Sequence, residues 1–280
     1  MFDELNHFLL IVEHGTFTEA SRRAHLSQPA LSASIKRLEE RLGGRLLHRG
    51  AGGARPTAAG QALIPKAELA LAAVADGRRA VSEVLGLRTG EVRLGAGPTV
   101  ATYMLPATMA AFRVAHPGVR LYLREAHSPA VWEGLRRGDL DLGVVTGSSV
   151  DARESWVVAE DWRQDELVVA SAPGDPAPNA WVCFPRGSML RHLLDEGFDA
   201  PDVVMELGSI AAVKGNVRAG VGRCLISRSA IERDLADGQM RLVHAPPAPI
   251  VRTMTLVHRG ADRLPPAAAR LREMLLGPPA

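Results

Sequence analysis

The chain has 280 residues, 46% of them hydrophobic and 23% charged, with a formal net charge of +2, which provides for a buried core and for more than one compact unit. No run of about 18 apolar residues occurs, and the opening MFDELNHFLLIVEHG is acidic and amphipathic where a signal peptide is basic and then apolar. A membrane span and export are thus not expected, and a cytoplasmic location is; the scarcity of aromatic residues, 4%, points to an aliphatic, helix-rich interior.

Leu5, Phe8, Leu9 and Val12 set out an amphipathic helix ending at Gly15, a residue type that accepts the left-handed cap conformation. A second helix follows, with Phe17 turned inward, Thr18 as its cap, and Ala20 and Ala24 as a small-residue face for close approach. In the next stretch, HLSQPALSASIKRLEERLGGRLLHR, Leu31, Ile35, Leu38 and Leu42 form an inward stripe at helical spacing. Ser27 caps this third helix, and Pro29 fits its first turn, where the missing N–H has no intrahelical partner anyway. Gln28, Pro29, Ser32, Ala33 and Lys36 share the opposite face.

A DNA major groove admits a helix whose first turns carry short side chains or ones that lie against base edges. Gln suits adenine, Ser suits several edges, and Pro or Ala carbons suit the thymine methyl. The second and third helices read as a helix-turn-helix; a plain capped helix with a solvated face is the alternative. Downstream, GGRLLHRGAGGARPTAAG gives two short segments separated by glycines, with Arg49 and Arg55 placed as a β-wing places them along a backbone. Between residues 21 and 57, eight Arg or Lys residues face only Glu39 and Glu40, the charge footprint of phosphate contact, and Lys36 and Arg37 read as phosphate anchors.

These stretches together resemble the N-terminal domain of LysR-type transcriptional regulators: the apolar spacing, LSQPALS, IKRLEERLG and TAAG occur in one order, and the similarity continues along the chain. The resemblance implies that the helix bearing Gln28, Pro29 and Ser32 enters the major groove while Arg49 and Arg55 make wing contacts. The expected DNA-binding set is Ser27, Gln28, Pro29, Ser32, Lys36, Arg37, Arg49 and Arg55, in a winged helix-turn-helix over residues 1–59. The family commonly has a basic or amide residue after the second Ser, where this chain has Ala33 and Ser34, so operator preference does not carry over from relatives.

Residues 60–88 are expected to form a linker helix. Leu63, Ala67, Ala70, Val74, Gly77, Val81 and Val84 alternate in steps of four and three, an a/d seam too long to hide against a small neighbour. Pairing with a second copy is the economical explanation, matches the dimerising linker that the resemblance implies, and would let two winged domains read an inverted repeat. Packing of the helix onto its own C-terminal part is the alternative. The sequence is compatible with a dimer or a tetramer.

From residue 89 the order strand, helix, strand, helix, strand (TGEVRLGAG, a helix from about Thr99 to Ala115, VRLYLRE, a helix to Arg137, DLDLGVV) argues for a parallel sheet covered by helices. The order recurs through WVCF, VVMEL and CLIS, and VRTMTLVHRG with a last helix returns to the first lobe. The expectation is an α/β domain over 89–280, with lobe I at 89–163 plus 250–280 and lobe II at 164–249, and a cleft at the strand ends. Gly97, Pro98, Thr99, Thr146, Ser188 and Ser209 fall at those ends, where hydroxyls and free N–H groups attract anions; each also reads as an ordinary helix cap. The whole resembles the periplasmic-binding-protein-like effector domain of LysR-type regulators, which implies an inducer cleft there. Arg191 is either an anion partner or a salt-bridge residue, and Cys183 and Cys224, in apolar runs with no metal or CxxC spacing, are either buried structural thiols or a redox pair.

The leading function is a regulator that binds double-stranded promoter DNA under control of a small, anionic metabolite. The alternative is a cytoplasmic small-molecule-binding module or enzyme with an appended winged-helix domain. No HExxH, GxSxG or Walker loop occurs and the histidines are scattered, so no catalytic residue, metal site or cofactor is expected.

Overall fold

The computed structural model describes residues 1–50, 53–84, 90–147, 156–174 and 179–277. The boundary expected at residues 88 and 89, and the Val84 side chain, lie outside the described residues.

Helix α1 (Phe2–His14) closes on Gly15 at φ 69°, with the Gly15 N–H donating to the Ile11 carbonyl. Helix α2 (Phe17–Arg23) is capped by the Thr16 hydroxyl, which accepts from the Glu19 N–H, and not by Thr18. Thr16 has the extended backbone a cap needs, whereas Thr18 is already helical. His25 turns the chain at φ 54° into α3 (Gln28–Leu42), which ends on Gly43 at φ 72°. Phe8, Ile11, Leu31, Ile35 and Leu38 are fully buried between α1 and α3. Leu42 departs from its expected inward place: on the last turn it passes beyond α1 and is 47% exposed. Strands β1 (Leu47–Gly50) and β2 (Gly53–Pro56) pair antiparallel as the wing. The wing is seated on the α1–α2 turn, because the Ala54 N–H donates to the Gly15 carbonyl at 2.7 Å and a Cβ on Gly53 would stand 2.3 Å from that oxygen.

Helix α4 (Ala58–Val84) leads out of this domain. By length and composition its Ala58–Ser82 portion, mean hydropathy 1.2, is long and apolar enough to cross a membrane. In the structure it is a packing helix with two roles: Leu63, Ala67 and Ala70 lie against the winged core, while Glu68, Ala72, Asp76 and Arg79 are buried along another face.

The C-terminal domain is built on a seven-stranded sheet in the order β10-β6-β11-β5-β3-β4, with β9 also on β6. Strands β3 (Glu91–Ala96), β4 (Arg120–Glu125) and β5 (Leu142–Thr146) run parallel, as βαβ crossovers require, and carry lobe I with α5 (Pro106–Ala115), α6 (Ser128–Arg137) and α10 (Pro266–Leu276). The helix expected from Thr99 to Ala115 is divided: Val100–Met104 is a π-turn and α5 starts at Pro106, whose ring cannot continue a helix from before it. Lobe II holds the parallel pair β7 (Ala180–Cys183) and β8 (Asp202–Glu206), with α7 (Met189–Gly197), α8 (Ile210–Arg218), β9 (Cys224–Ser227), α9 (Arg228–Ala236) and β10 (Arg241–Val243). Strands β6 (Val158–Ser171) and β11 (Ile250–His258) cross between the lobes as a long antiparallel pair, with a register shift between Met254 and Thr255. Such an irregularity bends the pair where it passes from one lobe to the other.

Candidate nucleic-acid interface and effector cleft

On α3, Ser27 accepts from the Ala30 N–H at 3.3 Å, Pro29 occupies the first turn, and Gln28, Pro29, Ala33 and Lys36 are exposed. Ser32 is half-buried on the wing side, where its hydroxyl accepts from Arg49 Nη1 at 2.8 Å. The Arg49 guanidinium also lies 4.6 Å over the Phe17 ring, so one wing arginine bridges α2 and α3. Glu39 holds the root of the wing, accepting from the Leu46 and Leu47 N–H groups at 2.8 and 3.3 Å. Arg55 stands exposed on β2. Arg49 thus ties the wing to the α3 face that bears Ser32, whereas the register sets Arg55 opposite His48 and so on the other face of the wing.

Arg37 departs from the phosphate-anchor expectation. It faces α1, with Nε 3.2 Å from Glu4 Oε1, and Arg41 Nη1 reaches Glu4 Oε2 at 3.0 Å. Burial alone would raise the Glu4 carboxyl, but hydrogen bonds from the amino terminus and Arg37, with the charge of Arg41, hold it below its ordinary value. Ser34, next to the DNA-side residues in sequence, is buried and bonds His7 Nδ1 at 2.8 Å. Neither Glu4 nor His7 was legible as a partner of α3, because helix pairing across the domain leaves no spacing signal.

Of the expected cleft residues, Ser188 and Ser209 act as helix caps, accepting from the Arg191 N–H at 3.3 Å and the Ala212 N–H at 3.2 Å. Each hydroxyl keeps its own proton to donate. Thr99 is buried at the head of the π-turn and makes no cap bond, while Gly97 and Pro98 are half-buried beside it. Thr146 ends β5; its N–H donates to Ser128 Oγ at 3.4 Å and its hydroxyl lies 3.6 Å from Met254 Sδ. Ser148, next in this run, lies outside the described residues.

The lobes meet through groups the sequence did not single out. Tyr103 on the π-turn packs into the lobe II core and under Lys214 of α8, 5.3 Å from the ring centre. On the crossing strands, buried Asp165 accepts from Ser227 Oγ at 2.6 Å and from Arg252 Nε at 2.7 Å, and Arg252 Nη1 reaches Met189 at the start of α7, 3.9 Å away. A charged residue inside an otherwise apolar strand was the available signal for Arg252, while Asp165 is one of several charges in its run and gave none. Arg191 takes the salt-bridge alternative: it is buried, held by Asp195 at 2.8 Å and Glu206 at 2.5 Å, and so is not left for a cleft anion. Cys183 and Cys224 are free and buried, and burial pushes the Cys224 thiol up to about 12 and raises Cys183. Both remain protonated thiols near neutrality, the unreactive form.

Residues 2–61 match the family described as bacterial regulatory helix-turn-helix protein, lysR family, and residues 85–277 match the LysR substrate binding domain. Similar proteins include the uncharacterized HTH-type transcriptional regulator YeiE of Escherichia coli K12, 29% identical over 95% of this chain and 94% of that protein. The HTH-type transcriptional regulator CbbR of Xanthobacter flavus is 29% identical over 95% of this chain and 84% of its own. Among solved structures, LysG of Corynebacterium glutamicum with bound effector Arg superposes with a TM-score of 0.72 at 19% identity, covering 99% of this chain and 96% of that one. DarR of Vibrio fischeri in complex with DNA gives 0.58 at 18% identity, covering 100% and 99%.

Proposed function

The chain belongs to the LysR family of bacterial DNA-binding transcriptional regulators, and from that premise we propose that it acts in the cytoplasm as a homodimeric, non-enzymatic regulator whose α3 reads operator bases. The observation that carries this is the capped, proline-bearing start of α3, exposed at Gln28, Pro29 and Lys36 beside a wing that presents Arg49 and Arg55. Short side chains at the helix start admit it to the major groove; the wing and Lys36 meet phosphates. The exposed part of the α4 seam, with Val81 58% exposed, supports pairing through that helix, and two-fold pairing fits two half-sites.

We further propose that a small anionic metabolite binds between the lobes, near Gly97, Pro98, Thr99, Thr146, Ser188 and Ser209. The donor chemistry of these turns supports the reading. A ligand that favours one lobe arrangement shifts the population of DNA-competent dimers. The test is salt-dependent retardation and footprinting of genomic fragments by the intact chain, with and without organic acids, amino acids and inorganic anions. No protected bases under any condition overturns the DNA reading. A thermal shift from one anion that survives Thr99→Ala with Ser209→Ala moves the effector site elsewhere.

A further inference from the structure

The face of α4 that carries Glu68, Ala72, Asp76 and Arg79, at steps of four, four and three, is docked on lobe I. Ala72 meets Gly138, the left-handed cap of α6: a Cβ on Gly138 would stand 2.7 Å from the Ala72 Cβ, so the two elements touch where there is no side chain. Beyond this contact Asp76 binds Arg79 and also accepts from Arg259 Nη2 at 2.5 Å. Arg79 Nη2 donates to Asp141 Oδ1 at 2.7 Å, and Asp141 Oδ2 accepts from the Arg93 N–H at 2.8 Å. These four charged side chains are buried, and Glu68 with Arg136 forms the rim.

Two carboxylates and two guanidiniums taken out of water recover through mutual attraction little more than they lose in hydration. Arg79 Nε has no hydrogen-bond partner among the described residues, and Ala72 is the one apolar side chain in this stripe. The contact is therefore demanding in geometry and close to balance in free energy, as suits a joint with two positions. Arg259 also directly follows β11, whose seven-residue run back to Arg252, the partner of Asp165 on the crossing strands, is about 23 Å of strand.

We propose that this buried ion-pair stripe is a releasable latch between α4 and lobe I, through which the effector domain sets the angle of the winged domain. Latched, α4 and lobe I move as one body; released, the charges rehydrate and the helix swings. The regulatory consequence rests on the function proposed above, but the latch needs neither DNA nor effector, so its failure and a failure to bind DNA are separate results.

The test places spin labels at exposed Glu13→Cys on α1 and Ala110→Cys on α5 of the full chain, diluted into unlabelled chain so that distances within one protomer are read; both native thiols are buried. The parent is expected to give one narrow distance. At pH 8, where Asp141 is ionised, Arg259→Gln and, separately, Asp141→Asn are expected to broaden it at least twofold or add a second distance, with an unchanged circular dichroism spectrum. An unchanged distribution in both overturns the latch. Should Arg259→Gln not fold, Glu68→Gln carries the test, since it leaves Arg136 paired with Glu133 and buries no lone charge; there too, broadening supports the latch and an unchanged distance overturns it.

Discussion

A side chain that reads a base and one that holds a phosphate differ in what their loss does. Gln28, exposed at the first turn of α3, has the amide that pairs with an adenine edge, so Gln28→Ala is expected to lower discrimination between a cognate and a scrambled duplex by about 1–3 kcal/mol. Nonspecific binding stays near its parent value. Arg55, exposed on the wing, carries charge alone, and Arg55→Ala is expected to weaken both duplexes alike and lower the salt slope by about 1. Titrations of the two duplexes over a range of salt decide, and equal losses for Gln28→Ala would remove it as a reader. Glu4 works behind the same helix. Its carboxyl is held low in the folded protein, so the stability it contributes is present above the ordinary carboxylate range and is lost as pH falls through the folded value. Thermal midpoints of Glu4→Gln should lie below the parent at pH 7 and converge on it in acid; parallel curves would show that Glu4 is not tied to Arg37 and Arg41 in solution.

Elements were legible where one face of a segment is buried and obscure where burial changes along it. The winged helices and most strands of both lobes have a single period, and the structure places them where that period does. β6 does not: it is mostly exposed or half-buried over Val158–Glu166 and buried from Leu167 to Ser171, so no one period marks it as a strand. β11 has the reverse gradient, buried only towards His258, yet its run VRTMTLVHRG was legible as a strand. α9 is hidden for another reason, since a buried Asp234, 2.6 Å from Lys214, interrupts its apolar pattern. α4 carries two patterns at once, an apolar seam and a charged stripe on a different face, and the sequence draws the eye to the first. Because the seam is left open beyond Val74 while the stripe is occupied, Val81→Asp should break pairing without disturbing the protomer. Sedimentation is expected to show dimer dissociation at least tenfold easier, about 1.4 kcal/mol, with an unchanged thermal midpoint at concentrations where the parent is also dissociated. A dimer of parent strength would place the interface off the seam.

At the scale of the whole molecule the contact between α4 and lobe I was the least legible feature. Its bonds join residues 62 and 183 positions apart, and charged residues in an Ala-rich helix look like a solvated face until their partners are known. That burial has a measurable consequence. Desolvation pushes the Asp141 carboxyl up to about 7, against the pull of Arg79 and Arg259, with Asp76 and Glu91 adding to the rise. The unfolded chain releases this proton near pH 3.9, so between about pH 4 and 7 the folded state holds a proton that the unfolded state does not. Its contribution to stability is therefore complete below the unfolded value and falls as pH rises through that window, by at most about 1.4 kcal/mol for each pH unit. Asp141→Asn has no proton to release, and the difference between parent and variant midpoints should slope across pH 4–7 and level above it. A difference that is flat over this range would mean that Asp141 stays ionised in its place between α4 and β3, with the guanidiniums outweighing the cost of burial.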